Sequence, residues 1–187
     1  MEDIEMEYVT LNNGKKCPVI GLGTFMISPA DAEVSVREAL KMGYECVDTA
    51  NAYCNERAVG RGIRASGVQR EKIFVSTKLW ATEYENENAV DETLERLGLD
   101  YVDLLYIHQP AGNWHSGYRL LERAYRDGKA KAIGISNFEG KYLDELCTKW
   151  EIVPQFMQAE AHPYFTQREL MGQLDKYGIK LMSWYPL

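Results

Sequence analysis

Short apolar runs alternate along this chain with stretches in which apolar positions recur at helical spacing. The runs 44–47, 73–77 and 102–107 are rich in β-branched and aromatic residues and read as strands. Between them, Ala32, Val36, Ala39 and Leu40 fall on one helical face, as do Val90, Leu94 and Leu97, and Leu143, Leu146, Cys147 and Trp150. Gly43, Gly67, Gly98, Gly128 and Gly178 stand where a helical pattern gives out, the usual place for a residue that closes a helix. Further strands are expected over 20–24, 130–136, 155–160 and 180–184, seven in all at a pitch of roughly 25 to 30 residues.

Strands that alternate with helices imply a parallel sheet, either open and doubly wound or closed into a (β/α)8 barrel. The polar strand ends favour the barrel. Asp48, Lys78 and His108 each end an apolar run, and thirty residues separate each from the next. In a barrel, the carboxy-terminal strand ends converge on one mouth, so these three would share a site with Ser136, Gln158 and Trp184. Ahead of the repeat, 8–11 and 16–19 flank Asn12-Asn13-Gly14-Lys15, and the Asn-Gly pair suits a tight turn of positive φ. A β-hairpin is expected there, capping the barrel floor.

The length of 187 residues and the 45% hydrophobic content suit one domain over 1–187. That barrel would lack its eighth strand and closing helices, because the seventh strand is followed only by Tyr185-Pro186-Leu187, and its open edges could support self-association. A net charge of −7 argues against a nucleic-acid partner. No apolar stretch approaches the roughly 18 to 20 residues that cross a bilayer, so no membrane partner is expected. Met1 to Met6 is acidic where a signal peptide would be basic, which points to the cytoplasm. Cys17, Cys46, Cys54 and Cys147 form no C-x-x-C pair and read as reduced, buried thiols. His108, His115 and His162 lack metal-ligand spacing, so no metal is expected, and Gly21 and Gly23 do not complete a G-x-G-x-x-G.

Several segments, taken in order, resemble the aldo-keto reductases, and the likeness runs from Tyr8 to the last residue. They are Gly21-Leu22-Gly23-Thr24, Asp48-Thr49-Ala50-Asn51-Ala52-Tyr53-Cys54-Asn55-Glu56, Ser76-Thr77-Lys78-Leu79-Trp80, Ile107-His108-Gln109-Pro110 and Gly134-Ile135-Ser136-Asn137-Phe138. The short loop from Gln109 to Gly117 resembles the bacterial and protozoal members. The resemblance implies NADP(H)-dependent reduction of a small carbonyl substrate. It makes Tyr53 the proton donor, with Lys78 and Asp48 tuning it and His108 orienting the carbonyl oxygen. Gly23, Thr24, Ser136, Asn137, Gln158 and Trp184 would contact the cofactor, and Phe25, Trp80 and Trp114 would line the substrate pocket. Tyr185 stands where the family pattern has serine.

The residues fit those roles on physical grounds. A phenol near pKa 10 needs a nearby cation to ionise near neutrality, Lys78 needs a partner such as Asp48 if it is buried, and a neutral histidine adds no third charge. Two alternatives stay open from the residues alone. Lys78 at a strand end could form the Schiff base of a lyase, or the chain could be an inactive fragment or a binding subunit. Trp150 reads as a packing residue and Trp80 as a pocket residue, while Glu160 and His162 could be no more than strand-end structure.

Overall fold

The amino-terminal hairpin pairs β1 (Tyr8–Thr10) with β2 (Lys16–Pro18), and its turn differs from the expected one. The Gly14 amide donates to Leu11 O and the Leu11 amide to Lys15 O, while only Gly14 has a positive φ, of 80°. This is the longer hairpin loop in which a glycine bulge follows an ordinary turn, so the left-handed residue is Gly14 alone. The structure, a computed structural model, describes residues 6–187; the acidic residues 1–5 of the sequence lie outside it.

Seven strands form one parallel sheet in sequence order: β3 (Leu22–Gly23), β4 (Cys46–Asp48), β5 (Phe74–Leu79), β6 (Leu104–Ile107), β7 (Ile133–Ser136), β8 (Phe156–Glu160) and β9 (Lys180–Trp184). Six helices cover it: α1 (Pro29–Lys41), α2 (Glu56–Ser66), α3 (Ala89–Leu97), α4 (Trp114–Arg126), α5 (Lys141–Lys149) and α6 (Arg168–Asp175). This is the curled sheet of the (β/α)8 barrel with seven of its strands. β3 and β9 are the outer ones.

The side-chain period of two divides each strand between two cores. Val47, Val75, Leu79, Leu105, Ile107, Ile133, Ile135 and Met157 face the helices and join Ala32, Val36, Leu40, Val59, Leu94, Leu121 and Leu143 in the larger core. Cys46, Phe74, Leu104, Tyr106, Ala132 and Phe156 point inward and meet Leu11 and Cys17 of the hairpin. The hairpin therefore plugs the floor, as expected, and leaves the mouth open. At Gly134 a Cβ would lie 2.5 Å from Tyr106 ring atoms, so the missing side chain is what admits that ring to the interior.

All five helix-closing glycines have positive φ. Every observed strand of the parallel sheet except β9, which spans 180–184 as expected, starts later than its expected run. Tyr44, expected in a strand, gives its amide to Ala39 O and belongs to the closure of α1. Of the four cysteines, Cys17 and Cys46 are buried and Cys147 half-buried, whereas Cys54, expected inside, is exposed. No helix among the described residues is long and apolar enough to cross a membrane.

Candidate active site

Asp48 ends β4, Lys78 lies near the end of β5, and His108 directly follows β6. Parallel pairing in register brings all three to the same mouth. Lys78 is fully buried, and its Nζ donates to Asp48 Oδ2 at 2.5 Å and to Thr49 O at 2.8 Å. Asp48 Oδ1 accepts from Ser76 Oγ at 2.5 Å, so each carboxylate oxygen has its own donor. An ammonium this deep keeps its charge at low cost only with such partners.

Tyr53 closes a 3-10 turn, Asn51–Tyr53, that follows β4 and ends in Cys54, a left-handed residue at φ 57°. The turn sets the Tyr53 ring 5.1 Å from Lys78 Nζ, 5.0 Å from the Phe25 ring and 5.8 Å from the His108 ring. Trp80 meets His108 edge-on at 4.8 Å. Burial, then Lys78, lowers the His108 pKa to about 4 against the opposing pull of Asp48, so the imidazole is neutral at pH 7. Its Nδ1 is buried without a hydrogen-bond partner.

For Tyr53 the balance differs from the expectation. Lys78 pulls the phenol pKa down, but burial pushes it up more strongly, with Asp48 adding to the rise, so it stands above the ordinary value. The lysine moderates an elevation; it does not produce a depression. Burial wins because removing the phenolate from water costs more than a cation already shared with Asp48 returns.

The residues expected at the cofactor line the same mouth. Asn137, left-handed at φ 60°, donates from Nδ2 to Ser136 Oγ at 3.2 Å and accepts from Trp184 Nε1 at 3.2 Å. Gln158 donates to Met182 Sδ at 3.1 Å. Thr24 donates from both its amide and Oγ1 to Asp48 O, and beside it the place a Cβ would occupy at Gly23 has no atom within 4 Å. Tyr185, at φ 53°, sets its ring edge-on to Trp184 at 5.8 Å.

The expected pocket residues separate. Phe25 and Trp80 are exposed beside Tyr53 and His108. Trp114 is only 4% exposed, stacks on His115 and meets Phe138 and Trp150 within the core. Trp150 packs there too, as expected. Sequence reasoning gave no role to Ser76, Asn51, Asn55 or Glu56. Asn51 accepts the Trp80 amide, and buried Glu56 accepts from Thr77 Oγ1 and Arg96 Nε. Three of these four stand in the stretch Asn51 to Glu56 around Tyr53, but partners as distant as Arg96 leave no local signal. No group of three or more His, Cys, Asp or Glu that could hold a metal ion occurs among the described residues.

A model described as the Aldo/keto reductase family matches residues 19–187. The chain belongs to the aldo-keto reductase family. It is 43% identical over 185 residues to a morphine 6-dehydrogenase of Pseudomonas putida, covering 96% of this chain and 62% of that protein. To a glyoxal reductase of Bacillus subtilis it is 44% identical, covering 96% of this chain and 67% of the relative. An aldo-keto reductase of Bombyx mori, solved in complex with NADP, superposes with a TM-score of 0.91 at 32% identity, over 97% of this chain and 67% of that one. The chain thus spans about two thirds of the length of these family members.

Proposed function

We propose that this aldo-keto reductase chain reduces aldehydes or ketones to alcohols with NADP(H), Tyr53 giving the proton to the carbonyl oxygen. The observation that carries the reading is the buried Lys78–Asp48 pair set against Tyr53, with neutral His108 beside it, at one barrel mouth. As charge develops on the carbonyl oxygen, the Tyr53 hydroxyl donates its proton, and the Lys78 ammonium stabilises the phenolate left behind. Asp48, held by Ser76, keeps that ammonium in place. His108, neutral well below pH 7, can donate one hydrogen bond to the same oxygen and adds no competing charge. Phe25 and Trp80 would form apolar walls that exclude water and orient the substrate.

The residues at the mouth fit a nicotinamide. Its carboxamide needs both a donor and an acceptor. Ser136 has a hydroxyl, and Gln158 gives one of its two amide N–H groups to Met182 and keeps Oε1 for a ligand. The open space at Gly23 admits a close approach. Asn137, Thr24 and Trp184 would complete the set. The bound nicotinamide supplies the hydride. The NADP complex of the Bombyx mori relative supports this choice of cofactor.

The Schiff-base alternative finds no support, since Lys78 Nζ is sealed between Asp48 and Thr49 O. The outer strands β3 and β9 are further proposed to mediate self-association of the chain through unpaired backbone groups. The function is tested by following the reduced-nicotinamide absorbance with NADPH and an aldehyde: a decrease matched by alcohol formation supports it, and no decrease at saturating cofactor rejects it.

A further inference from the structure

The mouth is shaped by a residue that touches neither the proposed substrate nor the cofactor. Asn55 follows the Tyr53 turn and is 1% exposed, and all the hydrogen bonds of its amide go to loops. Nδ2 donates to Thr24 O at 2.9 Å and to Ile27 O at 3.0 Å, and Oδ1 accepts from Thr49 Oγ1 at 2.9 Å. The Asn55 carbonyl accepts from the Ala58 and Val59 amides, which anchors the residue to the start of α2.

Each of these bonds reaches a segment that carries part of the site. Thr24 and Ile27 bracket Phe25 and Met26. Met26 has a φ of 61°, a left-handed conformation that costs a residue with a side chain and persists only where its surroundings hold it. The amide of Asn55 clasps the carbonyls on both sides of Phe25 and the strained Met26, and the clasped loop sets Phe25 against the Tyr53 ring at 5.0 Å. Thr49, held through its hydroxyl, offers its carbonyl to Lys78 Nζ. One buried side chain thus ties the Phe25 loop, the Tyr53 turn and the Lys78 cage to the same helix start.

We infer that Asn55 is a positioning residue for the carbonyl-reduction site, fixing the strained Thr24–Ile27 loop against the Tyr53 turn so that Phe25, Tyr53 and Lys78 keep their spacing. The part that concerns turnover rests on the proposed reductase function. The part that concerns the loops does not. Asn55→Asp keeps the size and the acceptor for Thr49 but removes both donors to Thr24 and Ile27, and Asn55→Ala removes all three bonds.

Gln155 is the matched control. It is a buried amide at the opposite end of the barrel, bonded to the Ile133 amide, Asn12 and Val153 O. The test combines hydrogen exchange read by mass spectrometry with steady-state kinetics on the three variants. Both Asn55 variants are expected to exchange faster over 22–28 and 49–55 while α3 and α4 stay protected. Their kcat/KM should fall by about ten- to a hundredfold, the scale expected when reacting groups shift by an ångström or so. Gln155→Ala should lose stability yet keep kcat/KM within about twofold.

Unchanged exchange in both loops, a uniform increase across the chain, or an equal loss of kcat/KM in Gln155→Ala would each overturn the inference. Should Asn55→Ala and Asn55→Asp both fail to fold, Thr49→Val, which removes the one bond by which Asn55 holds Thr49, decides the matter through faster exchange over 49–55 or its absence. Should the wild-type chain reduce no carbonyl, the functional reading fails, while the exchange pattern still decides the clasp.

Discussion

The Lys78 ammonium lies 5.1 Å from the centroid of the Tyr53 ring, close enough to pull the phenol pKa down yet outweighed by the burial that pushes it up. Removing the cation leaves burial and Asp48 unopposed. Lys78→Met is therefore expected to raise the phenol pKa further, cut carbonyl reduction by about a hundredfold or more, and shift the pH–rate profile. The variant also leaves Asp48 with Ser76 alone, a loss on the order of 3 kcal/mol of folding stability. An unchanged pH–rate profile would remove Lys78 from the proton transfer.

His108 links the site to stability through pH. Its folded pKa of about 4 lies below the ordinary 6.5, so the unfolded chain binds the extra proton between those values. The contribution of His108 is complete above about pH 6.5 and is lost as pH falls toward 4. Allowing for its partial exposure, the loss amounts to about 2 kcal/mol. Thermal unfolding of wild type and His108→Gln at pH 7 and pH 4.5 checks this. Wild type should lose more between the two pH values, and parallel losses would contradict it.

Much of the architecture was legible because a parallel strand buried on both faces leaves a continuous apolar run, and a polar residue stands where it ends. Asp48, Lys78 and His108 came from that pattern, with Tyr53 five residues after the first, and the resemblance gave Tyr53 its role. The strand starts were harder to read. The run 130–136 pairs as a strand only from Ile133, with Ala130 making an isolated bridge to Val102. Trp114, expected at the pocket, lies in the core, and an aromatic residue at a helix start looks the same in sequence whether it faces a pocket or a core. The balance at Tyr53 was also hidden, since its burial depends on Phe25 and His108, which come from other strand ends. Asn55 was visible within its motif, but the carbonyls it clasps carry no side-chain signal.

The barrel interior gives a stability prediction independent of chemistry. At Gly134 a Cβ would meet Tyr106 ring atoms at 2.5 Å and Phe156 O at 3.0 Å. Gly134→Val should therefore overpack the interior at a cost of about 1 to 3 kcal/mol, lowering Tm by roughly 3 to 10 °C. A Tm within one degree of wild type would show that Tyr106 repacks freely.

Proton delivery turns on Tyr53. Its hydroxyl is the one group assigned to deliver the proton, and Tyr53→Phe removes that hydroxyl while keeping the ring against Phe25 and His108. The decisive measurement is single-turnover oxidation of bound NADPH by an aldehyde in wild type and Tyr53→Phe, with cofactor binding titrated in both. The expected result is oxidation in wild type, loss of at least about a thousandfold in the variant, and cofactor affinity unchanged within a few-fold. Comparable oxidation rates in the two proteins would contradict the assignment of the proton to Tyr53.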